Sequence, residues 1–98
     1  MRPGRGGQIY SMTTSEMTEA LAEENEEALT ADGFEGALIG MVVGACRPPV
    51  ACYDYARCVE ILMKRDGMSE EEAEEFLEFN TIGAYVGEHT PLFLHDWR

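Results

Sequence analysis

The segment from Asp54 to Asn80 constrains the fold most, because it carries the start and stop signals of two consecutive helices. Asp54 is a favourable N-cap residue. Apolar residues follow it at the helical spacing i, i+3, i+4 and i+7, and these are Tyr55, Cys58, Val59 and Leu62. Gly67 is placed to end the first helix in a left-handed conformation, and Ser69 with Glu72 forms a capping box that begins the second. The pattern therefore predicts an αα-hairpin.

The second of these helices has an acidic face. Its other side carries apolar side chains and ends at Asn80, which we interpret as a helix terminator with hydrogen-bonding capacity. The acidic side carries Glu71, Glu74, Glu75 and Glu78. Such a face is typical of a solvated helix surface, and it is also typical of a surface that docks on a basic protein. Both interpretations stay open on the sequence alone.

Four short apolar runs outside the hairpin predict strands. They are Ala37–Val43, Val50–Tyr53, Gly83–Val86 and Leu92–Leu94. The first two are expected to pair antiparallel across a loop at residues 44–49, where Pro48 and Pro49 have no amide hydrogen to donate to a ladder. Residues 87–91 are expected to turn between the last two strands, which then form a second hairpin.

A further helix is predicted before the first strand. It begins with a capping box at residues 13–16 and is expected to extend to about Thr30, with many glutamates and a thin apolar side. Residues 1–11 hold glycine, proline and arginine without an apolar period, so they predict a flexible tail, and residues 12–98 predict a single domain. The chain is thus predicted to be α+β, with a small, mostly antiparallel sheet of about four short strands, an αα-hairpin and an acidic N-terminal helix.

The net charge of −12 argues against several classes of function. With 19 acidic and 7 basic residues, the chain lacks the Lys and Arg that direct binding to nucleic acid or to an anionic membrane surface requires. An odd number of cysteines, at positions 46, 52 and 58, argues against a disulfide framework and favours a reducing cytosol. Their spacing is not that of a zinc site, and no cofactor-binding motif is found, so neither metal nor cofactor is predicted.

Few residues carry the chemistry of a site. His89 falls in the predicted turn, where it is either a surface histidine or the partner of a nucleophilic thiol of Cys46 or Cys52. In the alternative of a ligand-binding domain, a small ligand or a nucleotide would bind in the region between Asn80 and His89. Trp97 is the only tryptophan. It is an interface candidate if it is exposed and a core residue if it folds back on the sheet.

Three segments together carry a resemblance to a known family. They are DGFEGALIG, YDYARCVEILMKRDGMSEEEAEEFLEFN and GAYVGEHTP. From about Asp32 to Phe93 the chain resembles a family of small proteins encoded by tailed phages and prophages. Members of that family carry Cys-Gly-Gln-Pro where this chain has Cys46-Arg47-Pro48-Pro49. The resemblance implies a phage protein that acts in the cytosol of a bacterial host, and it implies no particular activity.

On these grounds the chain is predicted to be a small acidic cytosolic accessory protein that acts by protein–protein interaction and not as an enzyme. Its partner is expected to be a basic or nucleic-acid-binding host protein, which it inhibits. The alternatives are a domain that binds a small ligand or nucleotide and, third, a cysteine enzyme. A homodimer through a sheet edge or Trp97 is compatible with each of them. The candidate binding residues are Glu71, Glu74, Glu75, Glu78, Asn80, His89 and Trp97.

Overall fold

The computed structural model describes residues 12–97, and the predicted tail at residues 1–11 lies outside them. The chain is α+β, as predicted. Its helices and strands are α1 Thr14–Glu24, β1 Leu38–Gly44, β2 Arg47–Asp54, α2 Tyr55–Asp66, α3 Glu70–Phe76 and β3 Leu92–Leu94. A 3₁₀ turn precedes β1, and a wide π-helical turn at residues 77–81 extends α3. In the part of the chain that is described, no helix is both long and apolar enough to cross a membrane.

Within residues 12–97 the sheet has three strands in the order β1-β2-β3, and it is mixed. β1 and β2 form the predicted antiparallel hairpin, whereas β3 runs parallel to β2 and pairs Leu92 with Cys52. The prediction of about four strands in a mostly antiparallel sheet is therefore wrong. Because α2 and α3 both lie between β2 and β3, the chain returns before it enters the sheet again, and a parallel pair results.

The strand predicted at Gly83–Val86 does not form. Residues 82–84 are a 3₁₀ turn, and the backbone becomes extended only at Tyr85. Nor does Asn80 terminate the helix, because the π-helical turn runs through it to Thr81. The backbone after α3 leaves little room for a side chain at Gly83. An added Cβ there would lie 2.8 Å from the carbonyl oxygen of Glu78.

We expect Gly83→Ala to lower the free energy of unfolding by about 1–3 kcal/mol, because the methyl group forces the backbone apart in this turn. Gly40→Ala is the matched control, since an added Cβ at Gly40 meets nothing within 4 Å. The control should change stability by less than about 1 kcal/mol. Urea unfolding followed by circular dichroism measures both. Equal effects of the two substitutions on the free energy of unfolding would show that the contact with Glu78 does not make a side chain at residue 83 unfavourable.

The β1–β2 hairpin is tighter than predicted. β2 already begins at Arg47, so Pro48 and Pro49 lie in the strand and not in a loop. The prolines are tolerated because the register is irregular between the Val42–Val50 and Gly44–Arg47 pairs, and β3 pairs only with the far end of β2. Ala45 and Cys46 form the turn, and Cys46 adopts a positive φ of 61°.

Several local capping signals place the helices as the sequence predicted, although Asp54, the N-cap residue of α2, makes no capping hydrogen bond with its side chain. Ser69 and Glu72 form the predicted capping box of α3, and Gly67 ends α2 with φ 68°. α1 also has its capping box, but it ends at Glu24 and not near Thr30. Asn25, the C-cap residue, is extended there, and its side chain holds the chain against β2 by donating to the Pro49 carbonyl oxygen at 2.9 Å.

The core lies between the sheet and the helices. It is one cluster of buried side chains, to which β2 contributes Ala51 and Tyr53. Leu62 from α2 and Leu77 from the turn after α3 are fully buried in it. The hydroxyl of Tyr53 accepts a hydrogen bond from the buried Ala31 amide at 2.8 Å, which fixes the segment between α1 and β1 over the cluster. The helices therefore form one layer on one side of the sheet.

Candidate functional site

The glutamates predicted as a binding face lie together along one groove. At the spacing i, i+3, i+4 and i+7 along α3 and the turn that follows it, Glu71, Glu74, Glu75 and Glu78 share one side of the helix. The groove that they line, which we call the acidic groove, also includes Tyr55, Ser69, Glu72 and Phe79. It lies on the helical layer, because Ala73 and Leu77 on the opposite side of α3 belong to the core.

Most of this charge has no role in holding the helix. Glu72 completes the capping box, and Glu71 lies in the first turn, where the helix dipole favours an acid. Glu74, Glu75 and Glu78 lie beyond that turn. Within residues 12–97, no Lys, Arg or His forms an ion pair with any of these three or with Glu71. The groove therefore carries negative charge that the rest of the described chain does not neutralise.

A tyrosine that lines the acidic groove responds to this charge. Burial raises the pKa of the Tyr55 hydroxyl, and the negative charges of Glu78 and Glu74 raise the pKa further. Tyr55 is the first residue of α2, and its ring stacks on the His95 ring with centroids 4.0 Å apart. It therefore connects the acidic groove with the segment that follows β3.

Two exposed aromatic residues flank the carboxylates. Phe79 is 75% exposed and lines the acidic groove, and Trp97 is 94% exposed. Trp97 lines a second groove with His95, and this groove shares Tyr55 and Glu74 with the first. Of the two positions considered for Trp97, the exposed one is observed. The two grooves form one continuous surface of carboxylates with an aromatic side chain at each end.

The other two candidate residues lie elsewhere. Asn80 is exposed in the π-helical turn and lines neither groove. His89 packs against the end of α1, where its Nδ1 lies 3.0 Å from Asn25 Nδ2 and its Nε2 lies 3.5 Å from a carboxylate oxygen of Glu27. Since Asn25 Nδ2 is a donor, His89 Nδ1 accepts this bond. These contacts tie the loop before β3 to the segment that follows α1, and they do not include Asn80.

Over residues 12–97, the ring nitrogens of His89 contact Asn25, Glu27 and Glu88, and no cysteine is among these partners. Cys46 is exposed in the hairpin turn, Cys52 is half-buried in β2 and Cys58 is buried in α2. Burial raises the pKa of the Cys52 thiol, with a contribution from Asp54, which disfavours the thiolate that a nucleophile needs. Over residues 12–97, no group of three or more Cys, His, Asp or Glu residues is arranged to hold a metal ion.

Comparison with known proteins adds no family or activity to this geometry: no family model, curated protein or solved structure matches the chain. Among the ring-bearing residues of the continuous surface, Tyr55, Phe79 and His95 were not predicted as site residues. Tyr55 was assigned to the core face of its helix by its spacing, and His95 had no pattern that linked it to Tyr55. Phe79 carried a usable signal, because an aromatic side chain next to Glu78 and away from the apolar side of the helix has no core to enter.

Proposed function

We propose that this chain is a small accessory protein that binds a basic protein partner through the acidic groove. The observation that carries the proposal is the set of three glutamates that neither cap the helix nor form ion pairs within residues 12–97, beside an exposed phenylalanine. Uncompensated carboxylates cost free energy through mutual repulsion. A partner that brings lysine or arginine into the groove relieves this repulsion.

The exposed aromatic residues give a second reason to expect a basic partner. An arginine or lysine side chain that lies between two carboxylates also contacts the face of Phe79 or Trp97, and such cation–π contacts contribute about 0.5–2 kcal/mol each. Exposed aromatic side chains are also the residues that dominate binding energy at protein interfaces. A nucleic-acid-binding protein of a bacterial host has the required basic surface. In its more specific form, the proposal is that this chain inhibits such a protein. The resemblance to tailed-phage proteins is consistent with this context.

The first test measures binding of a fluorescent arginine-rich peptide to two variants of equal net charge. The groove variant replaces Glu71, Glu74, Glu75 and Glu78 by glutamine. The control variant makes the same change at Glu19, Glu23, Glu24 and Glu26, which are exposed and lie outside the capping boxes. We expect the groove variant to lose about tenfold in affinity, equal to about 1.4 kcal/mol, and the control less than about threefold. Each variant changes the net charge from −12 to −8.

Affinity that depends only on net charge would contradict the proposal, because the two variants would then weaken binding equally. Phe79→Ala tests the contribution of the aromatic side chain to binding separately, since it removes an exposed ring without changing the net charge. The natural partner is then identified by immobilising the wild type, the groove variant and the control variant. Each is exposed to bacterial lysate, and bound proteins are eluted with increasing salt. That partner should be retained by the wild type and the control, should be released by moderate salt and should be absent from the groove variant.

A further inference from the structure

A hydrogen-bonded junction connects the segment after α1 to two distant parts of the chain. Asn25 Nδ2 lies 2.9 Å from the Pro49 carbonyl oxygen in β2 and 3.0 Å from His89 Nδ1 in the loop before β3. The Leu29 amide donates to the His89 carbonyl oxygen at 3.0 Å. We call these three contacts the Asn25–His89 junction. Its two side-chain contacts span 24 and 64 residues of sequence, so it holds together parts of the fold that no local signal relates.

The orientation of the Asn25 amide is fixed by two partners that each have a single hydrogen-bonding role. The Pro49 carbonyl oxygen can only accept, so it faces Nδ2. The Glu27 backbone amide can only donate, so it faces Oδ1, at 3.1 Å. Nδ2 is therefore a donor toward His89 as well, and Nδ1 of the imidazole accepts. It follows that the neutral His89 ring carries its proton on Nε2.

Protonation of His89 changes the hydrogen-bonding role of Nδ1 alone. Nε2 carries a hydrogen in the neutral and in the charged ring, whereas Nδ1 becomes a donor in the charged ring and then faces the donor Nδ2 of Asn25. A half-turn of the Asn25 amide would present an acceptor to Nδ1, but it would break the bonds to Pro49 and Glu27. The charged ring is therefore incompatible with the junction as it stands.

The acids beside the ring do not compensate for this conflict. Over residues 12–97, His89 pairs with Glu27 after α1 and with Glu88 in its own loop, at 3.5 Å and 3.8 Å from Nε2, while β2 presents the uncharged Pro49 carbonyl group. Both carboxylates attract a charged imidazole. Their side chains are 74% and 70% exposed, so solvent screens this attraction. The Asn25 contacts are partly buried, and groups that lose such a bond recover less from water.

We propose that the Asn25–His89 junction is a pH-sensitive switch, in which uptake of one proton by His89 releases the loop before β3 from the segment after α1. The proton comes from solvent, so the junction is intact while the ring is neutral and is lost as the pH falls. Imidazole is the side chain that ordinarily changes charge between about pH 5 and 8. β3 begins three residues after His89 and is only three residues long, so the release also weakens its pairing with β2. The proposal does not depend on the acidic groove.

Nuclear magnetic resonance of the nitrogen-15-labelled chain tests the switch at pH 7.5 and at pH 5.5. The ring nitrogen shifts of His89 should show a proton on Nε2 alone at the higher pH and protons on both nitrogens at the lower pH. The protection factor of the Leu29 amide against hydrogen exchange, which corrects for the pH dependence of the chemical exchange step, should fall about tenfold at the lower pH. The Leu62 amide, inside α2, is the internal reference and should keep its protection factor.

Two substitutions separate protonation of His89 from other effects of pH. His89→Asn keeps an acceptor toward Asn25 and takes up no proton, so the Leu29 protection factor should be the same at both pH values. Asn25→Asp presents a carboxylate that accepts from the charged ring, so this variant should protect Leu29 better at pH 5.5 than at pH 7.5. Circular dichroism checks that both variants are folded, and the wild-type measurement stands without them.

Three results for the wild type would overturn the proposal. The first is a proton on Nδ1 of the neutral His89 ring, because the ring would then not accept from Asn25. The second is a ring that is still neutral at pH 5.5, because the junction would then not respond to pH in this range. The third is a charged ring with an unchanged Leu29 protection factor, because protonation would then leave the loop attached.

Discussion

Replacing Leu62 by alanine should lower the free energy of unfolding by about 2–5 kcal/mol, the largest loss that we expect from a single substitution. Leu62 has no exposed surface and lies at the centre of the helical layer in the core cluster. The substitution removes apolar area from the core and leaves a cavity that the packed helices close only in part. Because the total free energy of unfolding of a domain is about 5–15 kcal/mol, this substitution removes a large fraction of it.

Urea unfolding followed by circular dichroism at 222 nm measures the change. Met63→Ala is the matched control, because Met63 is the next residue of α2 and is 39% exposed. It should cost less than about 1 kcal/mol, as surface substitutions usually do. A loss at Leu62 no larger than the loss at Met63 would contradict the packing of α2 against the sheet.

Stability should also fall by several kcal/mol as the pH rises above about 9, and Cys58 should contribute substantially to the loss. Burial raises the pKa of the Cys58 thiol from 9.0 to about 12, with a smaller contribution from Asp54. Between these values the unfolded chain releases the thiol proton and the folded chain retains it, so unfolding is favoured as pH rises. The difference of three pH units corresponds to about 4 kcal/mol across the whole window. Below pH 8 this group has no effect on stability.

The measurement compares urea unfolding at pH 8 and at pH 10.5 in the presence of a reductant, for the wild type and for Cys58→Ala. The wild type should lose about 2 kcal/mol over this interval from Cys58 alone. The variant should lose less, although some loss should remain because burial also raises the pKa values of Cys52, Tyr53, Tyr55 and Tyr85. An identical loss in both proteins would show that Cys58 is not protected from titration in the folded state.

The helices were predictable because their signals are local. The capping boxes at Ser69 and at Thr13 and the glycine cap at Gly67 each depend on residues within one turn. Local signals do not determine how distant strands pair. β3 was placed at the right residues but was given the wrong partner, since nothing near Leu92 in the sequence specifies a pairing with Cys52. The early end of α1 also depends on distant atoms, because Asn25 binds Pro49.

The candidate site divides in the same way. The spacing of the four glutamates along one helix was sufficient to place them together, and the structure brings them into one groove. The aromatic flank comes from separate elements, because Tyr55 begins α2 and Trp97 follows β3, so no spacing rule relates them. Asn80 and His89 were grouped because they are close in sequence, but His89 contacts Asn25 and Glu27 beyond the end of α1, whereas Asn80 is exposed in the π-helical turn. The sequence thus predicted the charge of the surface and one aromatic residue, Trp97, but not Tyr55, Phe79 or His95.

The parallel pairing of β3 has a consequence for the rate of folding. The β1–β2 hairpin closes over a two-residue turn, and such hairpins form within about 1–10 μs. The contact between Cys52 and Leu92 closes a loop that contains α2, α3 and the segment after them, so its entropy must be overcome before any contact of β3 compensates for it. We therefore expect β3 to dock last, and substitutions at Phe93, which stacks on Tyr53, to accelerate unfolding more than they slow folding.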